Sequence, residues 1–463
     1  MVFSSLIFLF FFLPAVLLIY YCSPRKIKNL VLFLTSLVFY AWGEPVYIVL
    51  MLISTVTDYS FGLLLSSPKP SPKRRKGIVV ASVIVNLSLL TYFKYADFLI
   101  DNVNALLGTS IPLTELALPI GISFYTFQSM SYIIDVYRGT AKAQRNLLDF
   151  GAFVALFPQL VAGPIVQYNT VAEQLRKRNV TIEMFAEGVR RFMIGLAKKV
   201  LLANNIGLLW HAISGSEVGA MPLLTAWLGI IAFAFQIYFD FSGYSDMAIG
   251  LGLMFGFRFN ENFNKPYVAQ SITDFWRRWH ISLSSWFRDY VYIPLGGNRH
   301  GLGKQLRNIL IVWILTGIWH GANWNFMLWG LYFGVILIVE KWVGLKLLSR
   351  SPRWVRHVYT LMLILVGWVL FAFDELPMVG KYLLAMVGLN GQPLWDDGTL
   401  YFAYTNAFLL LVLVSASLPW KKFTIHGNNI LPLLNVAWCC ILFFLSVSYL
   451  VDATYNPFLY FRF

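Results

Sequence analysis

The chain is 463 residues long, 58% hydrophobic and 17% aromatic, with only 13% charged residues and a mean hydropathy of +0.65. Soluble domains carry about 25% charged residues, so a water-soluble globule is excluded. The formal charge of +14 comes from short basic clusters between long uncharged runs, and 16 Trp and 39 Phe leave no continuous basic face, which excludes nucleic-acid binding and points to a polytopic inner-membrane protein.

At the amino end the first charge is Arg25, so residues 1–24 lack the basic region of a secretory signal and are expected to stay as a first span. Cys22, Cys439 and Cys440 lie in apolar segments without metal-ligand spacing, so neither a disulfide framework nor a thiolate metal site is expected. Further uncharged runs follow at 29–43, 77–93, 116–134, 150–172, 218–239, 308–339, 398–420 and 423–451. About 20 apolar residues at about 1.5 Å each cross a bilayer, which predicts about ten to twelve membrane segments in an all-α chain.

The loops sort by sign. Basic clusters around Arg25, Lys73–Lys76, Arg138, Arg176–Arg178, Arg350–Arg356 and Lys421/Lys422 alternate with acidic loops at Glu44, Asp97/Asp101, Glu115, Asp374/Glu375 and Asp396/Asp397. The positive-inside rule puts the basic group in the cytoplasm and the acidic group, with the amino terminus, outside.

The middle departs from this pattern. The run 150–172, broken by Pro158, Gly163 and Pro164, reads as re-entrant, because irregular backbone at membrane depth must be shielded by protein or line a wet cavity. From 181 onward Phe185, Val189, Phe192, Leu196 and Val200 form a stripe at helical spacing, which predicts an amphipathic helix at the interface or against other helices, not a free span. Three segments follow: 1–145, amino-terminal transmembrane helices; 146–340, a core of re-entrant and amphipathic helices around a chamber; and 341–463, carboxy-terminal transmembrane helices. No repeat of solenoid period is present.

Three places in the core carry candidate chemistry. Asp240 and Asp246 lie in 236–246 (QIYFDFSGYSD), and buried acids persist only with partners, so they pair with an arginine or orient a histidine. In 272–289, helical spacing gathers Ile272, Trp276, Trp279, Leu283 and Trp286 on one face and Thr273, Arg277, His280, Ser284 and Arg288 on another, a polar stripe whose cations suit a phosphate-bearing donor. His320 sits in 308–339, which is too long for one crossing and too short for two, so a break near Gly317 and Gly321 is expected to bring two shortened helices together at the histidine. No HExxH, CxxC or GxSxG occurs, so neither metal nor a serine nucleophile is expected.

The stretches 276–284 (WRRWHISLS), 286–290 (WFRDY), 292–299 (YIPLGGNR) and 317–324 (GIWHGANW) resemble the membrane-bound O-acyltransferase family, in its bacterial alginate O-acetyltransferase branch. Further likeness lies in 39–45 (FYAWGEP), 119–128 (PIGISFYTFQ), 157–165 (FPQLVAGPI), 236–246 and 456–463 (NPFLYFRF). The resemblance implies a helical bundle around a central tunnel in a bacterial cytoplasmic membrane, with 146–340 as the catalytic core. It implies His320 as the catalytic histidine and His280 as the family's second histidine. It further implies acetyl-CoA as donor substrate, no bound cofactor, and an extracytoplasmic or membrane-anchored partner that acetylates a polysaccharide. A neutral imidazole at His320 suits general-base removal of a hydroxyl proton. His280 would orient the donor or polarise its carbonyl, and Asn323 or Trp324 would hold the oxyanion. Trp276, Arg277, Trp279, Ser284, Arg288, Trp319, Asp240 and Asp246 complete the candidate binding residues. Two rivals stand beside this reading: peptidoglycan or another cell-wall glycan as acceptor, and, in a different class, a transporter of lipid-linked sugars or a noncatalytic scaffold.

Overall fold

A computed structural model describes residues 1–67, 71–160, 163–419 and 430–452. The described residues fold into helices and connecting loops, without strands. Among them seven helices are long and apolar enough to cross a membrane, or eight if the bent pair Asp397–Thr405 and Ala407–Ser417 is one span. That is fewer than the runs of apolar sequence suggest, because several runs fold as shorter pieces. Residues 1–24 contain the short apolar helix Phe8–Cys22, the run 29–43 is helical only as far as the end of the 14-residue helix Lys28–Ala41, and 150–172 divides among Leu147–Ala155, Phe157–Leu160 and Tyr168–Arg176. The motif 157–165 is described except for residues 161 and 162, whereas 456–463, Lys421 and Lys422 lie outside the described residues.

The predicted amphipathic helix is present and packs against other helices, with Phe192, Leu196 and Val200 of its stripe buried. Ile182–Ser214 is one 33-residue helical rod, with a wide π turn over Lys198–Asn204, and it is itself a candidate span. Two of its cations, Arg191 and Lys199, are paired with the acids Asp246 and Asp240.

The chain divides into two compact units interleaved in sequence, Met1–Met193 with Tyr244–Asn260, and Ile194–Gly243 with Glu261–Phe463. In the first, Asp58 on the span Ile48–Leu65 is fully buried and accepts hydrogen bonds from Ser82 Oγ at 2.8 Å and Asn86 Nδ2 at 2.9 Å. Arg178 turns into this unit, donating to Asn29 Oδ1 at 2.6 Å and to the Phe255 carbonyl at 3.1 Å. Gly188 and Gly250 bring Ile182–Ala197 and Leu223–Met254 together, since a Cβ on Gly188 would lie 2.7 Å from the Gly250 carbonyl oxygen. The second unit holds an aromatic core in which Phe275, Trp279, Trp329 and Trp368 are buried.

Candidate active site

Two segments of the second unit build the site. The helix Leu302–His320 stops because Gly321 is extended (φ −168°, ψ 156°), and Asn323 starts the next helix, Trp324–Val339, by accepting the Trp324 N–H on its side-chain oxygen at 2.6 Å. The two helices touch through glycines: a Cβ on Gly330 would run into the Trp313 carbonyl, and one on Gly317 into that of Phe326. The expected break at His320 is therefore present. The imidazole is 4% exposed and meets edge-on the rings of Trp329, Trp319 and Phe371 at 4.9, 5.0 and 5.2 Å.

The second segment begins at a doubly capped helix, Ile272–Arg278. Ser271 Oγ accepts the Asp274 N–H at 2.9 Å, and the buried Glu340 carboxylate accepts the Ile272 N–H at 2.7 Å, the Thr273 N–H at 2.8 Å and the Thr273 hydroxyl at 2.6 Å. A carboxylate suits that end because unsatisfied N–H groups and the helix dipole both favour negative charge there. Asp274 and Arg278 pair at 2.9 Å along the helix.

The helix then ends, which corrects the single amphipathic helix expected over 272–289. Trp279 is extended, His280 takes a left-handed conformation (φ 44°, ψ 53°), and a second seven-residue helix runs over Ile281–Phe287. Breaking the helix at His280 merges the two predicted faces. Thr273, Arg277, His280 and Ser284 from the polar face line a cavity of about 230 Å³ together with Trp276, Trp279 and Leu283 from the apolar one. Trp313, Thr316 and His320 close it from the other segment. Two histidines that lie 40 residues apart in sequence thus share one cavity, with the Trp319 ring 6.0 Å from His280 and 5.0 Å from His320.

Most hydroxyls in the lining are committed to protein. Thr273 donates to Glu340, Ser284 to the Trp276 carbonyl at 3.3 Å and Thr316 to the Val312 carbonyl at 2.8 Å. Arg277 brings a positive charge to the lining. His280 lies outside every candidate span, is 2% exposed, and burial lowers its pKa to about 3, so its ring is neutral at physiological pH.

Several expected site residues sit elsewhere. Asn323 is a helix cap whose Nδ2 donates to the Asp374 carbonyl at 3.1 Å, and Trp324 is 48% exposed, so neither belongs to the cavity lining as an oxyanion donor there would. The Arg288 side chain is 61% exposed and pairs with Asp289 at 2.8 Å. Asp240 and Asp246 are paired as expected, each with a cation of the Ile182–Ser214 rod. Asp240 meets Lys199 at 2.7 Å in the second unit, and Asp246 meets Arg191 at 2.9 Å in the first.

Two residues of the site escape a reading by motif. Glu340 caps the helix below His280, and its only signal is that it is the first charge after the uncharged run 308–339. Asn262, wholly buried, accepts the Ile281 N–H on its backbone oxygen at 3.0 Å and lies with its side-chain oxygen 3.2 Å from His280 Nδ1. It stands in a polar loop with no periodicity to mark it.

The model of the membrane-bound O-acyltransferase family matches residues 142–373, a segment that includes Asn262, His280, His320 and Glu340. A probable alginate O-acetylase of Pseudomonas putida is 41% identical over the whole of both chains, and one of Pseudomonas syringae is 48% identical over 90% of this chain and 80% of its own. The chain belongs to the membrane-bound O-acyltransferase family. This O-acyltransferase also aligns with a peptidoglycan O-acetyltransferase of Helicobacter pylori, at 32% identity over 100% of this chain and 98% of that one. As a member of the family it is a multi-pass membrane enzyme, and the cavity with its two histidines lies inside the segment that defines the family.

Proposed function

We propose that this O-acetyltransferase takes acetyl from cytoplasmic acetyl-CoA and passes it through a bacterial cytoplasmic membrane for O-acetylation of an extracytoplasmic polysaccharide such as alginate. The observation that carries the reading is the single cavity shared by His320 and His280, with Arg277 on its wall. Ligand sites for whole drug-sized molecules occupy about 300–1,000 Å³, so this smaller cavity suits the thioester end of the donor and a short acyl group, with the nucleotide held outside it.

The chemistry follows from the residues. His320, caged by aromatic rings, serves as general base: it takes the hydroxyl proton as the acceptor oxygen attacks the thioester carbonyl carbon. The tetrahedral intermediate collapses with cleavage of the C–S bond, and the departing thiolate recovers the proton from His320. Arg277 supplies charge for the donor's phosphates. The acetyl then reaches the glycan through an extracytoplasmic partner.

The test is acetyl transfer from radiolabelled acetyl-CoA by the full chain in nanodiscs, with wild type compared with His320→Ala at equal expression. Removing the base is expected to lower turnover by about 10²- to 10⁴-fold. Wild-type turnover in His320→Ala would overturn the mechanism. The full-length likeness to the peptidoglycan O-acetyltransferase supports a second acceptor, and supplying alginate and peptidoglycan in parallel, each together with the extracytoplasmic partner, separates the two.

A further inference from the structure

Asn262 explains how His280 is held, and it determines which nitrogen of that ring meets the substrate. The Asn262 side-chain oxygen lies 3.2 Å from the Ser282 backbone N–H, 2.9 Å from Ser282 Oγ and 3.2 Å from His280 Nδ1. A backbone N–H can only donate, so the atom facing it is the amide oxygen and not the amide nitrogen. The Ser282 hydroxyl, 3.5 Å from the same ring nitrogen, donates its one hydrogen to the nearer Asn262 oxygen, so Nδ1, 3.2 Å from that acceptor, carries its own hydrogen. In a neutral imidazole the other nitrogen, Nε2, then has the lone pair.

We infer that Asn262 is a positioning residue for the transfer reaction: it locks His280 in the Nδ1–H tautomer, so that Nε2 faces the substrate as a hydrogen-bond acceptor. This rests on the reading of the His280–His320 cavity as the transferase site. It also decides between the two roles open to His280 at the level of sequence. A neutral ring with its hydrogen on Nδ1 has none on Nε2 with which to polarise the thioester carbonyl. It orients substrate by accepting a hydrogen, from the attacking hydroxyl or from an amide N–H of the donor's pantetheine arm.

The backbone supports the same assignment. His280 is one of three non-glycine residues with positive φ among the described residues, and the carbonyl of Asn262 receives the N–H of Ile281, the residue after it. Asn262 thus holds the unusual turn through its backbone carbonyl and the ring that the turn presents through its side-chain oxygen, from one fully buried residue. The arrangement matches the general rule that a reacting histidine is oriented by a partner on its other nitrogen.

The tautomer is directly measurable. The chain has six histidines, and solid-state ¹⁵N NMR of histidine-labelled protein in lipid, with His280→Gln used to assign the signal, reports which ring nitrogen carries hydrogen. His280 is expected to show a protonated Nδ1 and an unprotonated Nε2 in wild type and in Asn262→Asp, which keeps the acceptor oxygen. Asn262→Leu is expected to lose that preference. Protonated Nε2 in the wild type, or an unchanged tautomer in Asn262→Leu, would overturn the inference. Because this measurement needs no acyl donor, it stands apart from failure of the transfer assay. In turnover, Asn262→Asp is expected to stay within about tenfold of wild type while Asn262→Leu loses about 10²-fold or more in kcat with little change in KM, the signature of a group that matters in the transition state. Equal kcat in wild type and Asn262→Leu would remove the positioning role.

Discussion

Burial disfavours the imidazolium form of His280, so its ring stays neutral. For His280 the burial that lowers the pKa to about 3 has a consequence for stability as well as for chemistry. An unfolded histidine binds a proton below about pH 6.5, whereas the folded one does not, so the unfolded state takes up more protons as the solution is acidified. Stability contributed by this site is therefore complete above about pH 6.5 and declines as pH falls toward the folded pKa. His280→Gln removes the titrating group. Thermal unfolding in detergent, compared at about pH 7.5 and about pH 5.5, is expected to show a smaller acid-induced drop for His280→Gln than for wild type. Equal drops would mean that the ring is solvated and titrates normally in the folded protein.

At the scale of elements, the site depends on where short helices start and stop. Ile272–Arg278 has seven residues, too few to be stable alone, and Glu340 anchors its first turn with three hydrogen bonds from the neighbouring long helix. Truncating Glu340→Ala strands the buried Ile272 N–H, at about 1–3 kcal/mol, and removes the acceptor of the two part-buried Thr273 donors. The expected result is a large fall in melting temperature together with loss of turnover, because Thr273, Arg277 and His280 all hang from this segment. Glu340→Gln keeps an oxygen acceptor and is expected to lose less of both. The same logic explains the histidine helix: it ends at His320 because Gly321 leaves the helical region and Asn323 nucleates the next helix.

For the whole molecule, the arrangement of charge predicts orientation. Basic loops at Ser71 and Ser351 belong to the cytoplasmic group and the loop at Thr109, between Asp101 and Glu115, to the outer group. With Cys22, Cys439 and Cys440 first replaced by serine, Thr109→Cys is expected to react with a membrane-impermeant maleimide in intact spheroplasts. Ser71→Cys and Ser351→Cys are expected to react only after permeabilisation. The reverse labelling would invert the topology and with it the side from which donor enters.

The membrane class, the helical architecture, the family and the break at His320 are legible in the sequence, because they rest on hydropathy, on glycine placement and on motifs that are local in the chain. His280 was likewise marked by its motif. What local pattern does not contain is the partner across space. The helical period assigned 272–289 two separate faces, and only the left-handed turn at His280 turned both onto one cavity. Asp240 and Asp246 announced that they needed partners but not which; tertiary packing supplied Lys199 and Arg191. Asn262 and Glu340 carry no periodicity and no motif of their own, and act through hydrogen bonds to residues 18 to 68 positions away. Tertiary structure alone decided the tautomer of the second histidine, since that depends on a carboxamide oxygen and a backbone N–H meeting at one point.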